Sequence, residues 1–352
     1  MILTIVAFIV ILSVLVLAHE FGHYITAKMS GIVVEEFGLG YPPRIFGFKR
    51  GGTIYSLNAI PFGGFTKMLG EEDPQFPGSF ASKSRWTRFL VLIAGSLMNI
   101  LLPVLLFTIS AIIPHNVVME KVQVTEVAPN SPAQAAGVEA GDILIKINDR
   151  DMINRGVVGF NIQLNLGKPT NMVFQEPDGA IKEITVVPRW KTPEGEGATG
   201  IMIEGIDSTV EKVSVPFWKA IPDSFVHCWE VLVLFRNEIG GWFIKGTAPQ
   251  VSGPIGIAQL TNEFVKAGIS PLLEFTALIS ISLGVFNLLP FPGLDGGRIL
   301  FVFLEWIRRG KRISAKTEGL IHTIGFVVLI ALILVVSYFD VMRLINGTSI
   351  IP

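Results

Sequence analysis

A single cysteine, Cys228, in 352 residues excludes an intrachain disulfide and any metal site built on thiolates. Charge is scarce too: 16% of residues are Asp, Glu, Lys or Arg, and the formal net charge is −1. Without a basic surplus the chain has no electrostatic footprint for nucleic acid, and none is expected as a partner. Histidine occurs only five times, so two histidines four positions apart carry weight. Hydrocarbon is what the chain has in abundance. Half its residues are apolar and mean hydropathy is +0.56, too apolar for a soluble enzyme and fitting for a membrane protein with some soluble mass.

From Ile2 to Ala18 only Thr4 and Ser13 are polar, and then His19-Glu20-Phe21-Gly22-His23 arrives. The stretch lacks a basic n-region and a small-residue cleavage site, so it reads as a retained span and not as a secretory signal. On a helix His19 and His23 stack on one face at i and i+4, a spacing that suits two imidazole ligands to one Zn2+ ion per chain. Glu20 lies a step round the helix, the place for a general base acting on a metal-activated water. At ~1.5 Å per residue His19 sits roughly 25 Å along this helix, near the far side of a ~30 Å hydrocarbon layer. Ionisable groups at that depth are costly and mark function.

Three further apolar spans are predicted at Phe89 to Ile113, Leu272 to about Leu289 and Leu320 to Phe339. Phe217 to Ile244 carries Lys219, Asp223, His227, Glu230, Arg236 and Glu238, and is expected to lie on the membrane surface as amphipathic helices. Lys and Arg crowd 28–88 and 298–318 but are absent from the N-terminus. The positive-inside rule places both basic loops in the cytoplasm, and 114–271 and both termini outside. The His-Glu-His cluster then lies near the cytoplasmic face.

The outer segment reads as a small α+β domain. Val122–Val127 alternates like a strand, Ser131-Pro132-Ala133-Gln134-Ala135-Ala136-Gly137-Val138 is a short helix stopped by glycine, and Gly141–Asn148 turns into another strand. This order resembles the PDZ domains of bacterial membrane and periplasmic proteases. The resemblance puts the peptide-binding loop late, near Thr199–Ile203, with Gly200 and Ile201 as substrate-binding candidates. Pro193–Gly197 is a surface turn.

Two histidines do not close a catalytic zinc site, which takes three protein ligands. In Asn287-Leu288-Leu289-Pro290-Phe291-Pro292-Gly293-Leu294-Asp295-Gly296-Gly297 two prolines must break the helix, and broken backbone at membrane depth lines a cavity or is buried by protein. Asp295 is the only acid between Glu274 and Glu305. Taken alone, Asp-Gly-Gly reads equally well as a helix cap; beside the His-Glu-x-x-His motif it is the expected third ligand.

His-Glu-x-x-His ending a first span, with Asn-x-x-Pro-x-Pro-x-Leu-Asp-Gly-Gly late in the chain, resembles the site-2 protease family of intramembrane zinc metalloproteases. Ile60–Met68 resembles the membrane-re-entrant β-hairpin of its regulator-of-sigma-E protease group. Gly95–Asn99 and Ser252–Ile257 match further segments of that group. The resemblance implies a mainly α polytopic membrane protein with about four transmembrane helices, a hairpin near 54–68 and one inserted extracytoplasmic PDZ domain. The expected division is a membrane core at 1–113, the PDZ domain at 114–210, surface helices at 211–271 and a second core part at 272–352. His19, His23 and Asp295 would hold zinc, Glu20 would be the base, and Asn287 would steady the oxyanion or the substrate backbone. Gly63, Gly64 and Phe65 would receive the substrate strand, the glycines permitting a tight turn. The implied substrates are single-span proteins in the bilayer, such as anti-sigma factors or remnant signal peptides, first trimmed by an upstream protease in regulated intramembrane proteolysis. A silent PDZ adaptor and a divalent-metal transporter are the rival readings.

Overall fold

The computed structural model describes residues 2–71, 75–246 and 252–346. These divide into two compact units: one formed by the chain up to Ser110 and again from Ser252, the other by Ala111 to Gly246.

The first unit opens with α1 (Ile2–Met29), which ends where Gly31 takes a left-handed φ of 66° and its N–H meets the Lys28 carbonyl. Strands β1 (Val34–Arg50) and β2 (Thr53–Met68) follow, joined by Gly51-Gly52, both at positive φ. They coil back on themselves. Glu36 faces Lys67 on one side and Ile54 on the other, and Phe37 faces Thr66 and Tyr55, so the start of β1 becomes a central segment. Ile54–Leu57 and Gly64–Lys67 run in opposite directions along the two sides of 36–39, so the chain reverses between them, beside Gly63-Gly64. The correction to the expected 54–68 hairpin is in its pairing: its two arms bond to the start of β1 and not to each other. The tandem glycines at 51–52 make the tight turn between β1 and β2.

Helix α2 (Arg85–Ile112) contains Pro103, which cannot donate to the carbonyl of Asn99 four residues back. The Ser280 hydroxyl donates to that oxygen instead, at 2.7 Å, so proline costs no unsatisfied acceptor there.

The second unit contains β3 (His115–Val127), α3 (Pro132–Ala135), β4 (Ile143–Ile147), β5 (Arg150–Asp151), α4 (Arg155–Leu164), β6 (Thr170–Gln175), β7 (Ile181–Val186), β8 (Ile201–Val213) and α5 (Phe217–Lys245). Its antiparallel sheet runs β7-β6-β4-β3-β8, with β5 paired to β4. Alternating burial along β3, β4 and β6 delivers Val122, Val124, Leu144, Ile147, Met172 and Phe174 to one core. Helix α5 buries Ala220, Ser224, Cys228 and Val231 along one stripe and leaves Trp218, Phe225, Trp229 and Phe243 exposed.

Back in the first unit, α6 (Pro254–Ala267), α7 (Ile269–Asn287), α8 (Asp295–Ile307) and α9 (Ala315–Ile345) complete the chain. The 211–271 segment is thus shared between the units, α5 in one and α6 in the other. Helices α1, α2, α7 and α9 are long and apolar enough to cross a membrane, starting within about five residues of the expected spans. Small residues set their packing: a Cβ on Gly22 would fall 2.2 Å from the Ala94 carbonyl oxygen, and one on Gly284 would fall 2.9 Å from that of Ser96. Helix α8 was not foreseen, because its apolar run is too short to read as a span. It folds directly against the Pro-x-Pro segment, which is why Gly296 and Gly297 follow Asp295: a Cβ at either would meet the Leu289 or Phe291 carbonyl oxygen within 2.4 Å.

Candidate metal and catalytic site

Helix α1 presents His19 and His23 one turn apart, and the first residue of α8 presents Asp295 to both. The His19 and His23 Nε2 atoms are 3.2 Å apart, and Asp295 Oδ2 lies 3.1 Å from the first and 3.2 Å from the second. Donors held at ~2.0–2.1 Å by a tetrahedral ion stand roughly 3.3 Å apart, so this triangle fits zinc with one position open. Among the described residues it is the one group of three His, Cys, Asp or Glu side chains able to hold a metal.

Each donor is aimed by its surroundings. His23 Nδ1 lies 2.8 Å from the Val91 carbonyl oxygen, which fixes the tautomer with Nε2 free as ligand. Its ring fits only because residue 95 is glycine: a Cβ there would lie 2.3 Å from Nε2. The loop before Asp295 is pinned by His322, whose Nδ1 accepts the Gly293 N–H at 3.0 Å, and by Gly325, where a Cβ would be 2.1 Å from the Pro292 carbonyl oxygen.

Glu20 borders the same cavity of about 390 Å³, with Gly64, Phe65 and Thr66 of β2 on its wall. The Thr66 hydroxyl lies 2.7 Å from Glu20 Oε2 and 3.0 Å from the Glu20 carbonyl oxygen, tying the edge of β2 to α1. Gly64 allows that approach: a Cβ would fall 2.8 Å from Val16 Cγ1 and 3.2 Å from Glu20 Cγ.

His19, Glu20, His23, Asp295, Gly64 and Phe65 therefore come together. Gly63 does not line the cavity, and its φ of 94° lays it against the Tyr41 ring. Asn287 ends α7, half-buried, and also lies off the cavity wall. Gly200 and Ile201 belong to the second unit, where the Ala128 N–H donates to the Gly200 carbonyl and Ile201 opens β8. Sequence reasoning missed Thr66, Gly95 as a ring seat, and His322 as the anchor of the Asp295 loop. A hydroxyl two residues beyond a double glycine was the one available signal for Thr66.

Two imidazoles and a non-ligating glutamate on a helix fit to cross a membrane, with a carboxylate brought to them by the short helix α8, define a membrane-embedded metallohydrolase. Residues 7–332 match the sequence profile of Peptidase family M50. A relative from Clostridium acetobutylicum, whose own assignment as a zinc metalloprotease is provisional, is 36% identical over 335 residues, covering 95% of this chain and 96% of the relative. The zinc metalloprotease RasP of Oceanobacillus iheyensis is 30% identical, with 97% of this chain and 99% of RasP covered. RasP of Geobacillus kaustophilus is 29% identical, with 97% and 98% covered. The chain belongs to Peptidase family M50, the site-2 proteases, and is a multi-pass membrane zinc metallopeptidase.

Proposed function

We propose that this enzyme cleaves peptide bonds within the transmembrane segments of single-span proteins, with zinc held by His19, His23 and Asp295. The observation that carries the reading is the donor triangle with Glu20 beside it. When bound there, zinc supplies acidification of a coordinated water and polarisation of a peptide carbonyl. The chain's own residues do the rest. Thr66 occupies Glu20 Oε2 and leaves Oε1 to take up the proton released by the attacking water. The same carboxyl then returns that proton to the leaving amine. Asn287 ends α7 off the cavity wall, so the role proposed for it is on the substrate backbone or oxyanion only once substrate lies across that helix end.

Peptide groups in a transmembrane helix are hidden by their own hydrogen bonds, so the substrate has to unwind first. The edge of β2 at Gly64–Thr66 supports addition of the extended segment as a further strand. The hairpin enters the membrane in this reading. The second unit acts as an extracytoplasmic PDZ domain, with Gly200 and Ile201 at its peptide site and the exposed aromatic face of α5 on the membrane surface. It admits anti-sigma factors or remnant signal peptides already trimmed by another protease. Both termini lie outside a bacterial inner membrane, and the catalytic centre lies near the cytoplasmic face.

The test pairs zinc content with cleavage of a model single-span substrate in detergent, for wild type and Glu20→Gln. The expected result is one zinc per chain in both, with cleavage lost only in the variant. One zinc without cleavage of any trimmed substrate by wild type would favour a peptide-binding adaptor. Wild type without stoichiometric zinc would sink the assigned ligands.

A further inference from the structure

Glu71 lies three residues beyond the end of β2, and its two carboxylate oxygens do different things. Oε1 accepts the backbone N–H of Met68 at 3.2 Å and closes the end of β2, while Oε2 accepts from Arg298 Nη1 at 2.9 Å. Arg298 stands on α8, three residues and nearly one turn beyond Asp295. One carboxylate thus joins the strand that carries Thr66 to the helix that carries Asp295. Among the described residues no other hydrogen bond or ion pair joins 53–71 to α8. Both side chains line the catalytic cavity.

We infer that Glu71 and Arg298 are positioning residues: their ion pair holds the edge of β2, and through Thr66 the Glu20 carboxylate, in register with the Asp295 ligand. The inference rests on the metallopeptidase reading of the site. Three elements carry the chemistry, and each pair of them has its own tie. Asp295 meets His19 and His23 between α8 and α1, and Thr66 meets Glu20 between β2 and α1. Glu71–Arg298 closes the third side. The two side chains are not packed into the protein core: they face the catalytic cavity, where a positioning role can act. By contrast, Arg88–Glu305, with 8% and 9% of the side-chain surface exposed, is the buried pair of this unit. The Glu71–Arg298 pair also stands between the catalytic cavity and a second polar cavity of about 290 Å³ bordered by Arg88, Glu305, Arg312 and His322. Its loss would free both the edge strand and the wall between the two cavities.

The experiment uses full-length holoenzyme in detergent with a model single-span substrate: wild type, Glu71→Gln, Arg298→Gln, the double variant and Arg298→Lys. Zinc stoichiometry, thermal midpoint, kcat and KM are read for each. Each Gln variant is expected to lose about 10- to 100-fold in kcat, as supporting partners of ligand residues do, with zinc and thermal midpoint at wild-type values. The double variant should lose no more than the worse single, because either substitution already breaks the tie. Arg298→Lys, which keeps a cation on Glu71, should recover to within a few-fold of wild type. Full kcat in the single variants would overturn the inference. So would losses that multiply in the double variant, or a fall in kcat that tracks lost zinc or a lowered midpoint. Wild type that neither holds zinc nor cleaves would instead sink the underlying reading of the site, which separates the two failures.

Discussion

Replacing Gly95 by alanine adds one methyl group to the middle of α2. In an isolated helix that change is favourable by about 0.8–1.0 kcal/mol, so the helix itself should form at least as well. The added carbon would lie 2.3 Å from His23 Nε2, 2.7 Å from Cε1 and 2.8 Å from Cδ2, where contact distances are ~3.5 Å, so the ring must retreat by roughly 1 Å. It cannot pivot freely, since Nδ1 is held 2.8 Å from the Val91 carbonyl on the same α2 segment. A displacement of that size exceeds the ~0.2 Å tolerance of a zinc–ligand distance and breaks the 3.1–3.2 Å donor triangle. Gly95→Ala should therefore bind zinc at least about 10-fold more weakly and lose activity, with helix content unchanged. Zinc titration against a competing chelator, beside circular dichroism in detergent, measures both. A variant that holds one zinc at wild-type affinity and cleaves at the wild-type rate would refute the argument that glycine at 95 seats the ligand ring.

Three further outcomes follow from the same structure. Arg88→Leu leaves Glu305 buried with only Arg312, 3.4 Å away; an unpaired buried charge costs about 3–5 kcal/mol, so a loss in the lower half of that range is expected in denaturant melts. The Arg88→Leu/Glu305→Leu pair should regain most of it, and a double variant no better than the single would count against the reading. Asp340 Oδ2 accepts the N–H groups of Gly253 and Gly256 at 2.9 Å each, capping α6 from α9. Asp340→Ala should lower the thermal midpoint by the equivalent of about 1–3 kcal/mol per orphaned group, and Asp340→Asn by less. Equal midpoints for the two variants would count against the cap. Cys228 is 3% exposed and burial pushes its thiol up, so the reactive thiolate is scarce at neutral pH. Iodoacetamide should label it slowly in the native protein and rapidly once α5 is melted; fast native labelling would contradict that burial.

Local periodicity and the geometry of the bilayer were legible without coordinates. The i, i+4 spacing of His19 and His23 depends only on helical pitch, and the length of an apolar run follows from the thickness of hydrocarbon. The helix break at Pro290-x-Pro292 follows from proline chemistry. The alternating strands Val122–Val127 and Gly141–Asn148 were legible too, because a period of two is a property of the extended chain. What failed was the pairing of the 54–68 hairpin. The chain reverses beside Gly63-Gly64 as it does at Gly51-Gly52, but the start of β1 lies between the two arms. Gly64 is claimed by Val16 and Glu20 on α1, an approach no local pattern encodes.

Tertiary structure alone decided which distant atoms meet. Asp295 reaches His23 across 272 residues, and Thr66 reaches Glu20 across 46. Gly95, His322, Asp340 and the Glu71–Arg298 pair matter only because helices and strands remote in sequence pack at ångström range, where one methyl group or one hydrogen bond sets a position. Sequence by itself determined the four long apolar helices with their membrane character, and the two histidines with their glutamate. The closure of the site belongs to packing, because a ligand set is a statement about distances in space, and those come from the whole bundle.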